Sequence, residues 1–224
     1  SDPAQGVWIN QGNGTWQRDA NYVLPYYELG GKQWNLSLGD SKTQARDIDG
    51  DGLTDFMQTG SGIHNPSDPT QGVWINQGDG TWERDANYVL PYYQAGANQY
   101  RLTLDDKKLQ IHDVNGDRLA DFVQTAGGQS NPSDPAQGVW INQGDGTWER
   151  DANYILPSYQ AGTSGWNLRL DESKLQVFDV NADGLPDFIQ TGSGQRNPSD
   201  PSQGVWINQG DGTWNKDTNY VLPY

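Results

Sequence analysis

Three short acidic segments carry the residues best suited to chemistry. Asp47, Asp49, Asp51 and Asp55 stand at positions 1, 3, 5 and 9 of one stretch, with Gly52 at position 6 and the Leu53 carbonyl available at position 7. Oxygens at that spacing around a turn build a cage for a hard cation, and Ca2+ takes about six to eight of them. The second copy offers Asp113, Asn115, Asp117, Asp121 and the Leu119 carbonyl; the third offers Asp179, Asn181, Asp183, Asp187 and the Leu185 carbonyl. Ten of the 29 acidic residues lie in these loops, where unneutralised carboxylates would repel one another. The sequence therefore predicts about three bound Ca2+ ions, which would move the net charge from −15 to −9.

These loops are not EF-hands. Gln58, Gln124 and Gln190 stand at position 12, where that motif needs a bidentate Glu, and the flanks read as strands. Arg118 takes the glycine position of the second copy. If that position needs a positive φ, a non-glycine residue costs roughly 1 kcal/mol, and the guanidinium adds local positive charge. The middle loop is thus predicted to bind Ca2+ most weakly. Paired carboxylates can also catalyse, but tandem repetition at ligand spacing favours metal. No His-Glu-x-x-His, Gly-x-Ser-x-Gly or glycine-rich phosphate loop occurs, and the two histidines, His64 and His112, do not recur between copies. The sequence reads as a protein that is not an enzyme.

The elements that position the loops come from a repeat of period 66. Gln-Gly-Val-Trp-Ile-Asn-Gln-Gly begins at Gln5, Gln71, Gln137 and Gln203, and residues 5–26 and 71–92 differ at two of 22 positions. A further block, aromatic-x-Leu-x-Leu, starts at Trp34, Tyr100 and Trp166. The units divide as a partial repeat 1–46, repeats 47–112 and 113–178, and a partial repeat 179–224, in one continuous domain. Residues 1–26 and 199–224 are the same stretch of the repeat, which reads as a window on a longer array; the alternative is a short protein with frayed or oligomerising ends.

Each unit predicts β-structure. Strands are expected at 55–59, 72–76, 81–85 and 109–112, and a half-buried strand at 34–38, where apolar residues alternate. Gln77-Gly78-Asp79-Gly80 predicts a hairpin with a type I′ Asp-Gly turn. The Asn-Pro-Ser-Asp-Pro segments at 65–69, 131–135 and 197–201 are loops, since proline removes ladder donors. The fold class is all-β: propeller-like blades of four or five antiparallel strands, in an incomplete ring or a segment of a longer array.

Composition removes other classes. Leu, Ile, Val and Phe make up only 40 of 224 residues, a flag for disorder, but ten Trp and eleven Tyr supply large apolar bodies it does not count. No apolar run is long enough for a transmembrane helix, and the chain does not open with a signal-like segment, so any leader is absent or removed. Zero Cys excludes disulfides, thiolate zinc sites and a Cys nucleophile. Fourteen cations against 29 acids argue against nucleic acid as a partner.

Asp-x-Asp-x-Asp-Gly-x-x-Asp entering a strand, followed by Gly-Val-Trp-Ile-Asn, resembles the FG-GAP/VCBS calcium repeat, over essentially the whole chain. The resemblance implies propeller blades similar to those of integrin α-subunits and certain fungal lectins, a structural Ca2+ in each loop, and an extracellular or cell-surface role in adhesion or recognition. The count departs from the family, because about three and a half units cannot close a seven-bladed ring.

Eight Trp recur at two repeat positions: Trp8, Trp74, Trp140 and Trp206, then Trp16, Trp82, Trp148 and Trp214. The first set, inside Val-Trp-Ile, reads as packing between units. The second set reads either as packing or as sugar-stacking platforms, since polar residues flank it. Tyr27 and Tyr93 follow a proline in a predicted loop and are further candidates for carbohydrate contact. Asn13 and Asn35 head N-glycosylation sequons, relevant only to a secreted protein. The leading functional expectation is a Ca2+-stabilised structural or adhesive repeat that associates with itself or with neighbouring repeats. The alternative is a lectin-like module whose partners are glycans or cell-surface ligands.

Overall fold

The computed structural model describes residues 5–60, 62–192, 197 and 199–222. Pro198, within the third predicted proline loop, lies outside the described residues. The described chain contains no helix and forms seven antiparallel sheets of two to four strands. Two hairpins come first: β1 (Val7–Asn10) with β2 (Trp16–Asp19), and β3 (Tyr26–Leu29) with β4 (Lys32–Asn35). A four-stranded meander follows, β5 (Thr43–Arg46), β6 (Asp55–Gln58), β7 (Gly72–Asn76) and β8 (Trp82–Asp85), then the hairpin β9 (Tyr92–Ala95) and β10 (Asn98–Arg101). The pattern recurs as β11 (Leu109–His112), β12 (Asp121–Gln124), β13 (Gly138–Asn142) and β14 (Trp148–Asp151), with the hairpin β15 (Ser158–Ala161) and β16 (Ser164–Asn167). A last meander joins β17 (Leu175–Phe178), β18 (Asp187–Gln190), β19 (Gly204–Asn208) and β20 (Trp214–Asp217).

A full unit is therefore a four-stranded sheet plus a separate hairpin, six strands rather than the four or five expected. The predicted strand at 34–38 is shortened. β4 stops at Asn35, Leu36 is buried, and Leu38 is exposed. The Leu36 N–H still bonds the Pro25 carbonyl in the hairpin's register, but Pro25 has no N–H to return the bond, so the ladder ends there.

The core lies between units, and the pairing register shows why. In β6 and β7, Phe56 opposes Trp74 and Met57 opposes Val73, so one sheet face carries aromatics and the other aliphatics. Phe122 opposite Trp140 and Val123 opposite Val139 repeat the arrangement. One cluster then joins Ile48, Met57 and Val73 of one unit to Phe122, Trp140 and Trp148 of the next. A second joins Val114, Val123 and Val139 to Phe188, Trp206 and Trp214. Each aliphatic face packs on its neighbour's aromatic face, as expected when repeats share one continuous core.

The β13–β14 turn fastens adjacent units. The Val89 N–H donates to the Gly146 carbonyl at 2.9 Å, and a Cβ on Gly146 would lie 2.8 Å from the Asn87 carbonyl oxygen. Only glycine lets the backbones approach that closely. The corresponding hairpin between β7 and β8, where a type I′ turn was expected, differs from it. In 77–81, Gly78 and Gly80 have positive φ while Asp79 does not, whereas type I′ needs two consecutive positive φ values. A five-residue loop forms instead, closed by the Gln77 N–H to the Thr81 carbonyl and held by the Asp79 carboxylate, which accepts from the Thr81 N–H and hydroxyl.

Candidate metal loops and their neighbours

Each acidic loop links the first two strands of a meander, so both its ends are fixed in one sheet. The ninth-position Asp anchors it. Asp55 is fully buried and accepts the Ile48 N–H at 2.8 Å with one oxygen and the Asn76 N–H at 2.8 Å with the other. Asp121 does the same for Val114 and Asn142, and Asp187 for Val180 and Asn208. The first-position Asp closes the turn: Asp47 accepts from the Gly50 and Gly52 N–H groups, and Asp113 from Gly116, Asp117 and Arg118. Asp179 accepts from Asp183 and Gly184. Asp51, Asp117 and Asp183 cap the N–H of Leu53, Leu119 and Leu185.

In the first loop, one carboxylate oxygen each from Asp47, Asp49 and Asp55 lies within 4.8 Å of the others. Three oxygens that close can share one metal ion, so these three residues could hold one. Their bonded oxygens keep further lone pairs for a cation. In the other two loops the third-position residue is an amide. Asn115 donates to Asp117 and Asn181 to Asp183, both at 2.8 Å, while each amide oxygen accepts the N–H of that same Asp.

Burial raises the anchor carboxyls. Desolvation pushes Asp55 up to about 6 and Asp121 up to about 7, against the opposing pull of their two backbone N–H bonds. Asp187 is raised for the same reason. Asp49 is also raised, first by desolvation and then by Asp51 and Asp47. A divalent cation is the partner that would restore ionised carboxylates in such surroundings.

Arg118 has φ 74°, so the position does require a left-handed backbone. The fourth position requires it too, and there Ala182 adopts φ 62° where Gly50 and Gly116 stand in the other loops. The second and third loops thus each hold one strained non-glycine residue. Backbone strain alone does not single out the middle loop; its Arg118 charge does.

Sequence reading missed the residues that tie the loops together. The Asn142 side chain donates to the Ile48 carbonyl of the preceding loop at 3.0 Å, while its N–H bonds Asp121 of its own loop. Asn208 joins the Val114 carbonyl to Asp187 in the same way. The signal was present, since an Asn ends every Gly-Val-Trp-Ile-Asn block. The side chain of Leu119 also lies against Gly50, and that of Leu185 against Gly116. The three loops form one contiguous column.

The Trp side chains divide by neighbour. Trp148 and Trp214 are buried and Trp82 is half-buried; each donates its indole N–H to a carbonyl, of Ala120, Pro186 and Thr54 respectively. Each also meets a Phe edge-on, at 5.5 Å for Phe56–Trp82 and Phe122–Trp148 and 5.6 Å for Phe188–Trp214. Such rings have little face left for a sugar. Trp16 is 64% exposed. Tyr27 and Tyr93 lie in strands β3 and β9, not in loops as expected: Tyr27 is half-buried against the Leu36, Phe56 and Trp74 cluster, and Tyr93 stacks on Tyr100 at 5.6 Å. Of the sequons, the Asn13 carboxamide oxygen accepts from Thr15 in an exposed turn, and the Asn35 amide donates to Gln5.

No helix among the described residues is long and apolar enough to cross a membrane. No protein-family model, curated protein or solved structure matches the chain.

Proposed function

We propose that the chain is a Ca2+-stabilised structural repeat protein whose propeller-like units act outside the cell or at its surface. The observation that carries this reading is the column of acidic loops. Three loops at one spacing are stitched to one another by Asn142 and Asn208, and their anchor carboxylates are buried without a cation beside them among the described residues. An ion in each loop would neutralise those charges and lock the sheet on which the next unit packs. In this role Asp47, Asp49 and Asp55 hold the first ion, with the corresponding residues in the other loops. The ion supplies charge neutralisation and rigidity, and no reaction. The stacked units then present a long, repetitive surface for self-association or attachment. A lectin-like module receives less support, because three of the four proposed Trp platforms serve packing. Chelation tests the proposal: thermal melts in EDTA and in millimolar Ca2+ should differ by many degrees, because a ligand bound only to the folded state stabilises it. Coincident melts would remove its basis.

A further inference from the structure

A cleft of about 190 Å³ opens between the four-stranded sheet β11–β14 and the hairpin β15–β16, lined by Ser130, Pro132, Arg150, Tyr154, Ile155 and Ser158 among others. It lies at the opposite end of the sheet from the acidic loop: Gly138, which lines it, opens β13, whereas Asn142, which bonds Asp121, closes that strand. In the preceding unit, His64 and Tyr92 occupy the positions of Ser130 and Ser158 and stack on each other at 4.3 Å. Two serines replace that stacked pair, and the space it fills is left open.

The chemistry of the lining selects a ligand. Arg150 spends Nε and Nη2 on the Gln137 carbonyl, at 3.2 and 2.8 Å, which fixes the guanidinium plane and leaves Nη1 unspent. No carboxylate of the described residues pairs with it. An oriented guanidinium without a counter-ion suits a carboxylate, which it can meet through parallel N–H bonds. The Ser130 and Ser158 hydroxyls line the cleft, and each can both donate and accept, as the hydroxyls of a sugar do. Pro132 and the exposed Ile155 provide an apolar wall for a ring face. Drug-sized ligands take about 300–1,000 Å³, so this cleft suits a single ring. We propose that it binds one carboxylate-bearing pyranose, a uronic acid residue. The inference is independent of the calcium reading, since no acidic-loop residue lines the cleft.

Titration of the isotopically labelled protein with methyl glucuronide, followed by two-dimensional NMR, tests this. Saturable shifts confined to the cleft residues are expected, with Kd on the order of 1 mM. Methyl glucoside, which lacks the carboxylate, should bind about tenfold more weakly or worse. The Ser130→His/Ser158→Tyr double variant rebuilds the stack of the preceding unit and should abolish the shifts. Arg150→Lys places there the residue that Lys216 provides in the last unit, where it bonds the Pro201 carbonyl, so the fold has a precedent. It keeps the charge, removes the fork, and should weaken glucuronide binding about tenfold while leaving glucoside binding unchanged. Equal affinity for the two sugars, undiminished binding in a folded double variant, or no cleft shifts at 50-fold the expected Kd would overturn the proposal.

Discussion

The first and second acidic loops share one scaffold and differ in the charge it carries. Asp49 and Gly52 of the first become Asn115 and Arg118 of the second, while burial raises the anchor carboxyl in both, at Asp55 and at Asp121. The first loop brings three carboxylates within 4.8 Å; the second replaces one with an amide and adds a cation. The hydrogen-bonded frame and the charge inside it are therefore separable. Backbone N–H bonds to the first and ninth residues shape the turn in both copies, while the side chains at positions 3 and 6 set the charge a cation would meet.

The largest effect should come from the anchor. Asp121→Ala leaves the Val114 and Asn142 N–H groups without their buried acceptor, at about 1–3 kcal/mol each, and urea midpoints should fall accordingly. A change below about 1 kcal/mol would mean that the frame does not depend on this carboxylate.

The metal-free protein should show an unusual pH dependence. A carboxyl raised in the folded state binds more protons there than in the unfolded chain, so its contribution declines as pH rises from about 4 towards 7. Desolvation by burial, then Arg46, pushes His112 down to about 4; it acts in the opposite sense between about 4 and 6.5. In EDTA, on a His112→Phe background, stability should therefore be lower at pH 8 than at pH 5, and Asp121→Asn should shrink that difference. A pH-independent difference between the two proteins would contradict the raised carboxyl.

Smaller effects separate strain from charge. Arg118→Gly and Ala182→Gly each relieve a positive φ and should stabilise the protein by about 1 kcal/mol in denaturant melts. Only Arg118→Gly should also tighten Ca2+ binding at its own loop. The converse change, Gly50→Ala, adds strain at φ 80° and a Cβ 3.2 Å from Leu119, so it should cost more than 1 kcal/mol. The least change is expected from Asn115→Asp, which gives the second loop the carboxylate that the first already has. It should strengthen Ca2+ binding there and slightly destabilise the metal-free protein.

The sequence revealed the period, the strands beginning at Asp55, Gly72 and Leu109, and the acidic loops, because all depend on local residue types at fixed spacing. What it hid depends on contacts one repeat away. Trp16 and Trp148 sit in nearly identical local sequences, yet one is 64% exposed and the other 7%, because the aliphatic face of a preceding unit covers only the second. The hairpin 77–81 was legible as a turn, but its type was set by the Asp79 side chain bonding Thr81. Ala182 was legible in principle, since aligning the three loops shows glycine at that position in the other two. The cleft at Ser130 and Ser158 was visible only once His64 and Tyr92 were seen stacked.

As cation sites, the acidic loops would hold the stack together. A crystal structure determined in calcium-rich solution, with anomalous diffraction to identify the ion, tests this most directly. A peak is expected between Asp47, Asp49 and Asp55 at about 2.3–2.6 Å from their oxygens, with weaker occupancy at the Arg118 loop. Well-ordered loops with no ion at any of the three positions would contradict it.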